Sequence, residues 1–352
     1  MKKIQRLIVL LTITLGALTQ ACAQKEALKT PASNQSSSNQ QKADLVIAFG
    51  SCNKQYMAQP LWKDIAQNNP ALWVWLGDNI YGDTQNMELM KSKYDQQLRN
   101  QGYKKLIEQV KVIGIWDDHD YGINDGGEEF PKKKESQQLM LDFLKYPANS
   151  PIRQQEGVYN SYTMTKGGHT VKVILLDTRY FRGTLKRVNG VYQVNTTGTM
   201  LGKTQWQWLE NELNNSLADV NIIGSSIQFI PDEHRFEKWA NFPKERQRFF
   251  DLVAKTKVKN VVLISGDRHI AEVSKYEASN LSYPLYEITS SGLTHTWRRK
   301  ATEKNRYREG ELMIALNFGV FEFYFGESPK VVGHIKGRQN KVLQTVTIPL
   351  RK

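Results

Sequence analysis

Short apolar runs recur along this chain, longer helix-like stretches separate them, and several of the runs end in a cluster of polar residues. The runs are "DLVIAFGSC", "LWVWLGD", "KVIGIWDD", "TVKVILLDT", "NIIGSSIQF", "NVVLISGD", "YPLYEITSSG" and "FGVFEFYF". Their length and their Val, Ile and aromatic content read as buried strands. The stretches Gln59–Gln67, Met87–Asn100, Gly102–Gln109, Lys132–Leu144, Lys203–Asn215 and Pro243–Lys255 read as helices. Such alternation predicts an α/β domain built on βα units. The closing runs "VVGHIKG" and "KVLQTVTIPL" are expected to be antiparallel, at the edge of a second sheet. Neither an internal repeat nor a split into two domains is visible. With 40% apolar residues among 352, the chain can build a large core.

The N-terminus stands apart from that core. A basic "MKKIQR" precedes the apolar Leu7–Leu18, and "TQACAQ" follows. This predicts an export signal over residues 1–22, too short and wrongly flanked for a spanning helix. Cleavage after Ala23 is one reading. The other is a lipidated Cys22 that anchors the protein to a membrane. Residues 23–43 are rich in Ser, Asn, Gln and Lys and read as a flexible polar tether, leaving 44–352 as the folded domain. The expected location is outside the cytoplasm, periplasmic or at the cell surface. Cys52 then has no disulfide partner, so it is either a buried inert thiol or a metal ligand. The formal charge of +13 suits anionic partners without choosing among them.

The polar clusters carry the chemistry. They are Ser51-Cys52-Asn53, Gly77-Asp78-Asn79, Asp117-Asp118-His119, Asp177-Thr178-Arg179 and Gly266-Asp267-Arg268-His269. In α/β sheets, sites form at the carboxyl ends of strands, where clusters from distant parts of the chain can converge. After Trp116 come Asp117, Asp118, His119 and Asp120 together. Buried like charges cost several kcal/mol each unless something neutralises them. That corner is therefore either solvated or built around a cation. In "GDNIY", the glycine permits a tight turn, Asp78 suits a bridge between two cations, and Tyr81 can point back as a hard oxygen ligand. A mixed thiolate, carboxylate and phenolate set points to iron rather than to zinc or magnesium.

In the order FGSC, GDNIY, WDDHD, LDTR, SGDRH, the chain resembles the alkaline phosphatase D (PhoD-like) branch of the calcineurin-like metallophosphatases, from about Ile47 to Thr296. The resemblance implies a four-layer α/β/β/α sandwich of two mixed sheets flanked by helices. It implies ferric iron paired with calcium, with zinc or manganese as other candidates for the second metal. It implies Cys52, Asp78, Tyr81 and Asp267 as the iron set, Asp78 bridging to a divalent site at Asp118, and His269 as a further ligand. His119 would contact the phosphate or protonate the leaving oxygen, and Asp120 would orient His119. Arg179 is a candidate phosphate clamp, Asn124 a calcium or phosphate contact, and His295 either lines the site or packs beside it. The implied activity is attack of a metal-bound hydroxide on a phosphate ester.

"DDHDYG" and "SGDRH" depart from the more usual "DDHE" and "SGDVH", which puts the substrate rim in doubt and leaves the metal core intact. Such enzymes often carry a preceding β-sandwich domain, and here a short polar tether precedes the first motif. Blander roles fit other residues: His234 as a non-ligand, His169 at a hairpin turn, and His334 on a strand surface. "WRRKATEKNRYREG" reads as a solvated face without the interleaved aromatics of a dedicated nucleic-acid binder. Two alternatives stand beside an alkaline phosphatase-type hydrolase. One is a phosphodiesterase or phospholipase acting on teichoic acid, phospholipid or nucleic acid. The other is a non-catalytic surface binding protein that kept the fold.

Overall fold

The computed structural model describes residues 42–256, 258–297 and 302–351. The export signal, Cys22 and nearly all of the tether lie outside the described residues.

Lys42–Lys352 is one compact unit. Its first sheet has six strands in the order Val342–Pro349, Lys330–Lys336, Phe318–Tyr324, Leu45–Gly50, Leu72–Leu76, Lys111–Ile115. The last three run parallel, and the rest pair antiparallel. The second sheet has seven strands in the order Arg308–Met313, Ala271–Tyr276, Leu285–Ser290, Val261–Ser265, Val220–Ser225, His169–Leu176, Asn160–Lys166. Its central four are parallel and its margins antiparallel. Both sheets are thus mixed, as expected. The closing antiparallel pair differs from expectation. It extends the sheet that contains Leu45–Gly50, because Phe318–Tyr324 pairs with that strand and carries the last two strands with it.

Side-chain alternation builds the layers. In His169–Leu176, Val171, Val173 and Leu175 join the core shared with the first sheet. Ile174 and Leu176 face the other way, toward Trp206, Leu209 and Phe249 of the helices Gly202–Asn214 and Pro243–Thr256. Strand Leu72–Leu76 is buried on both faces. Trp73 and Trp75 pack edge-on against Trp62 of helix Trp62–Gln67, each with ring centroids 5.4 Å away. Leu76 lies toward the opposite sheet. A Cβ on Gly224 there would sit 2.6 Å from Leu175 Cδ2 and 3.2 Å from Leu76 Cδ2, so the sheets touch where a side chain would not fit. All six expected helices form, within a few residues of their expected ends. The one-turn helix Asp118–Tyr121 was not expected. It begins inside the acidic cluster, where Asp120 accepts the Asp117 backbone N–H at 2.7 Å.

Candidate metal centre

Three strands of the first sheet end at Gly50, Leu76 and Ile115, and two of the second at Ser265 and Ser290. The turns beyond them carry Cys52, Asp78 to Tyr81, Asp117 to His119, Asp267 to His269, and Ser291 to His295. The backbone there is held in unusual conformations. Cys52, Asp78, Asp267 and His269 have φ of 61°, 51°, 64° and 53°. Each non-glycine residue in the left-handed region costs about 1–3 kcal/mol, and such residues gather where a site needs side chains aimed inward.

Gly77, at φ +93°, makes the closest approach. A Cβ there would lie 2.4 Å from Asp117 Cβ and 2.7 Å from its backbone nitrogen. Gly77→Ala is therefore expected to lower stability by at least about 1–2 kcal/mol from backbone strain alone. Pushing apart the turns that hold Asp78 and Asp117 adds to this. Thermal denaturation checks it, and an unchanged melting temperature refutes the close approach.

Two donor groups converge on Asp78. Cys52, Asp78 and His269 each present a ligand atom within 4.8 Å of the others, and so do Asp78, Asp118 and His119. Tyr81 joins the first group, its hydroxyl 3.1 Å from Asp78 Oδ2 and 2.9 Å from His269 Nε2. Cys52 Sγ lies 3.3 Å from the same Asp78 oxygen and 3.1 Å from Ser291 Oγ. Asp78 Oδ1 is buried with no hydrogen-bond partner among the described residues. In the second group, both Asp118 oxygens accept backbone N–H groups, from His119 at 2.9 Å and Asp125 at 2.7 Å.

Electrostatics make this cluster unfavourable as a purely organic assembly. Burial, then the Asp78 charge, pushes the Cys52 thiol well up. Burial also raises Asp78 and Tyr81 well above their ordinary values. Asp118 is held low: His119 and Arg179 outweigh its burial. His119 is raised to about 11, because Asp118, Asp78 and Asp83 outweigh a burial that opposes its charge. A bound cation reverses the thiol, phenol and carboxylate shifts. The donors and the unpartnered oxygen therefore fit metal ions. The Cys, Tyr, His and Asp set suits iron better than a purely hard cation.

Asp267 joins neither donor group at that spacing. It lines the adjoining cleft beside Asp118, His119 and His269, and its charge reaches Cys52. Asn124 lines the cleft too, its amide donating to Asp125 at 2.7 Å. His295 sits at the first group, with Nε2 3.2 Å from the Tyr81 hydroxyl and its ring 4.4 Å from that of His269. Burial and Lys54 lower it to about 4, so it is neutral at physiological pH. His234 is buried, 6.3 Å from Phe236 between ring centroids, and is in neither donor group.

Two expectations need correction. Asp120 does not orient His119. Its carboxylate accepts backbone N–H groups of Asp117, Asp78 and Asn79 at 2.7, 3.1 and 3.2 Å, and so ties two turns together. The residue that holds His119 is Asp83, 2.7 Å from Nδ1, while the ring packs on Tyr81 with centroids 4.1 Å apart. Arg179 is not a phosphate clamp. It is fully buried, with Nε and Nη2 each 2.6 Å from Asp117 Oδ1 and Nη1 2.7 Å from Glu237. Arg182 completes the group on Glu237 at 3.0 Å. These four charges balance beneath the site.

Sequence reasoning also missed the walls of the cleft. Arg187 and Tyr192 of hairpin Arg187–Tyr192 line it, and Tyr192 donates a hydrogen bond to Asp125, whose backbone N–H is accepted by Asp118. Phe236, Arg268 and Trp297 line another side. Trp297 follows His295 in "SSGLTHTW", the one signal that could have found it. Nothing local marks Asp83 or Tyr192, whose partners lie 36 and 67 residues away.

The fold and donor set define the class as a metallophosphatase. The chain belongs to the PhoD-like phosphatase family, which matches residues 47–317, and this is a family of phosphoric ester hydrolases. It is similar to alkaline phosphatase D of Bacillus subtilis (strain 168), at 24% identity over 292 residues, 70% of this chain and 48% of that one. The chain thus spans about half the length of that curated relative. A solved structure of PhoD superposes with a TM-score of 0.66 at 17% identity, covering 87% of this chain and 72% of that one. GAP50, the anchor in the inner membrane complex of Plasmodium, gives 0.59 at 14% identity, covering 88% and 90%. A dimetal phosphatase from Danio rerio gives 0.53 at 14% identity, covering 88% and 100%.

Proposed function

We propose that this protein is a metal-dependent phosphohydrolase that cleaves phosphomonoesters, phosphodiesters or both, with ferric iron at Cys52, Asp78, Tyr81 and His269 and calcium at the Asp78 and Asp118 side. The observation that carries the reading is the pair of donor groups meeting at one buried carboxylate, Asp78. Bound there, the two metals would make water a nucleophile near neutral pH and neutralise the charge gathering on phosphorus. The chain's own residues do the rest. Asp83 fixes the His119 ring through Nδ1, leaving Nε2 for the leaving oxygen. Asp120 and the charge-balanced Asp117–Arg179–Glu237–Arg182 group hold the turns rigid. Export, with anchoring through a lipidated Cys22, belongs to the same proposal and rests on the leader pattern. No helix of the described residues is long and apolar enough to cross a membrane.

Metal analysis with a visible spectrum, on protein purified without chelator, tests the reading together with turnover of a nitrophenyl monoester and its bis-ester. Iron, calcium and a purple to brown band are expected with hydrolysis. Protein that takes up no metal and cleaves neither ester favours the binding-protein alternative, since a neighbour on this fold is described as an anchor. Asp83→Asn is expected to cost roughly 10–100-fold in kcat/KM, the usual effect of losing a partner that orients a site histidine. The Asp83 charge favours protonated His119, so its loss lowers the His119 pKa. The alkaline limb of the kcat/KM profile then moves to lower pH, and an unmoved limb refutes the assignment.

A further inference from the structure

With Arg179 sealed in the interior, the charge of a phosphate ester needs a different cation. The cleft is lined by Asp118 and His119 of the second donor group, by His269 of the first, and by two arginines, Arg187 and Arg268. Arg268 pairs with Glu303. Arg187 is less engaged. Its side chain is 45% exposed, and its one ion pair among the described residues, with Asp125 Oδ2, is long at 4.0 Å. That oxygen already accepts the Tyr192 hydroxyl and the Asn124 amide. The guanidinium lies over the Tyr192 ring at 5.1 Å, an arrangement that leaves its in-plane N–H donors pointing outward.

The hairpin holds this group in place. Asn189 and Gly190 have φ of 50° and 74°, the two-residue turn whose twist matches the paired strands. It sets Arg187 directly opposite Tyr192. Arg235 Nε donates to the Gly190 carbonyl at 3.1 Å, and the Gln193 N–H to the Lys186 carbonyl at 2.8 Å. Tyr192 docks on Asp125, whose backbone N–H is accepted by Asp118, so the hairpin is tied to the donor group. The cleft measures about 140 Å³, well below the ~300–1,000 Å³ of pockets that enclose a whole ligand. A phosphoryl group fits, with little room for a substituent on both sides. A monoester dianion spreads two charges over three terminal oxygens. A diester spreads one over two and turns a neutral substituent toward a wall. A guanidinium fork gains more from the first. We propose that Arg187 is a substrate-binding residue that grips the terminal oxygens of the phosphoryl group and selects monoester dianions over diesters. This rests on the hydrolase reading and adds the bond class to it.

The test compares kcat/KM for nitrophenyl phosphate and its bis-ester in the metal-loaded wild type, Arg187→Ala, Arg187→Lys and Tyr192→Phe. It is run at about pH 8, above the second phosphate pKa of roughly 6, where the monoester is a dianion. Losing a hydrogen bond to a charged group corresponds to roughly 10–100-fold. Arg187→Ala is expected to lower kcat/KM for the monoester by that factor, mainly through KM, and to leave the bis-ester nearly unchanged. Arg187→Lys keeps the charge without the fork and recovers part of the loss. Tyr192→Phe loosens the hairpin and keeps the guanidinium, so it lowers both esters alike. Equal losses on both esters in Arg187→Ala, the pattern of a merely structural role, or no loss at all, overturn the assignment. Calorimetric titration with inorganic phosphate reads the same contact without turnover, and Arg187→Ala is expected to bind it roughly 10–100-fold more weakly. If neither ester is cleaved, the hydrolase reading fails by itself, and the titration still decides the residue. Weakened binding in Arg187→Ala sustains it. Binding that the substitution leaves intact, or no binding by the wild type, ends it.

Discussion

Asp78→Asn is expected to strip both metals and reduce turnover by roughly 1,000-fold, because several kcal/mol of metal-derived stabilisation is lost at about 1.4 kcal/mol per tenfold. One side chain serves both donor groups, so one substitution opens both. An amide keeps the shape but carries no charge and cannot bridge two cations with anionic oxygens. The same change has a second expected effect of opposite sign. Asp78 is buried against Asp118, Asp117 and Asp120, and these charges, with burial, push its carboxyl well up. In chelated protein the amide removes that repulsion. Asp78→Asn stripped of metal should therefore melt no lower than the stripped wild type. Elemental analysis, ester hydrolysis and thermal denaturation read the three quantities. Full metal content with near-normal turnover would remove Asp78 from the centre of the site.

Arg179→Ala is expected to destabilise the protein by about 3–5 kcal/mol, the usual cost of breaking a buried ion pair by deleting one partner. Arg179 and Arg182 balance Asp117 and Glu237, and all four side chains are at most 1% exposed. Even with Arg179 present, burial raises Asp117 to about 7. Without it, Asp117 and Glu237 are left with one cation between them. A substrate clamp predicts something different, a folded protein with a raised KM. Chemical denaturation separates the two. A variant of wild-type stability and impaired substrate binding would restore the clamp.

Arg179 and Asp83 show where reading residues in order stops. "LDTR" and "YGDT" look alike on paper, an acidic or basic residue just past a strand or turn. Arg179 ends in a sealed group because Asp117 and Glu237, 62 and 58 residues away, close over it. Asp83 becomes the partner of His119 because the turn after Leu72–Leu76 donates two backbone N–H groups to the His119 carbonyl, from Gly82 and Asp83. His269, assigned only from its motif, turns out to share the Cys52 and Asp78 group and, with Asp267 two residues before it, also lines the cleft. Both sit just past a strand end with left-handed backbones, a placement that their order in the chain does not give.

The two mixed sheets were what the family resemblance implied, while the sequence by itself determined most of the buried strands, the helices, the α/β class and the residue types that gather at the strand ends. These follow from local rules: side-chain periodicity, turn chemistry, and the cost of clustering acids without a cation. The family's motifs carry the same information in compressed form. Only the tertiary structure decided which charges neutralise each other in the interior, which carboxylate holds His119, and that Trp297 lines the cleft. Those outcomes depend on contacts between segments far apart in the chain, and a side chain's burial and partners are set only when the segments pack.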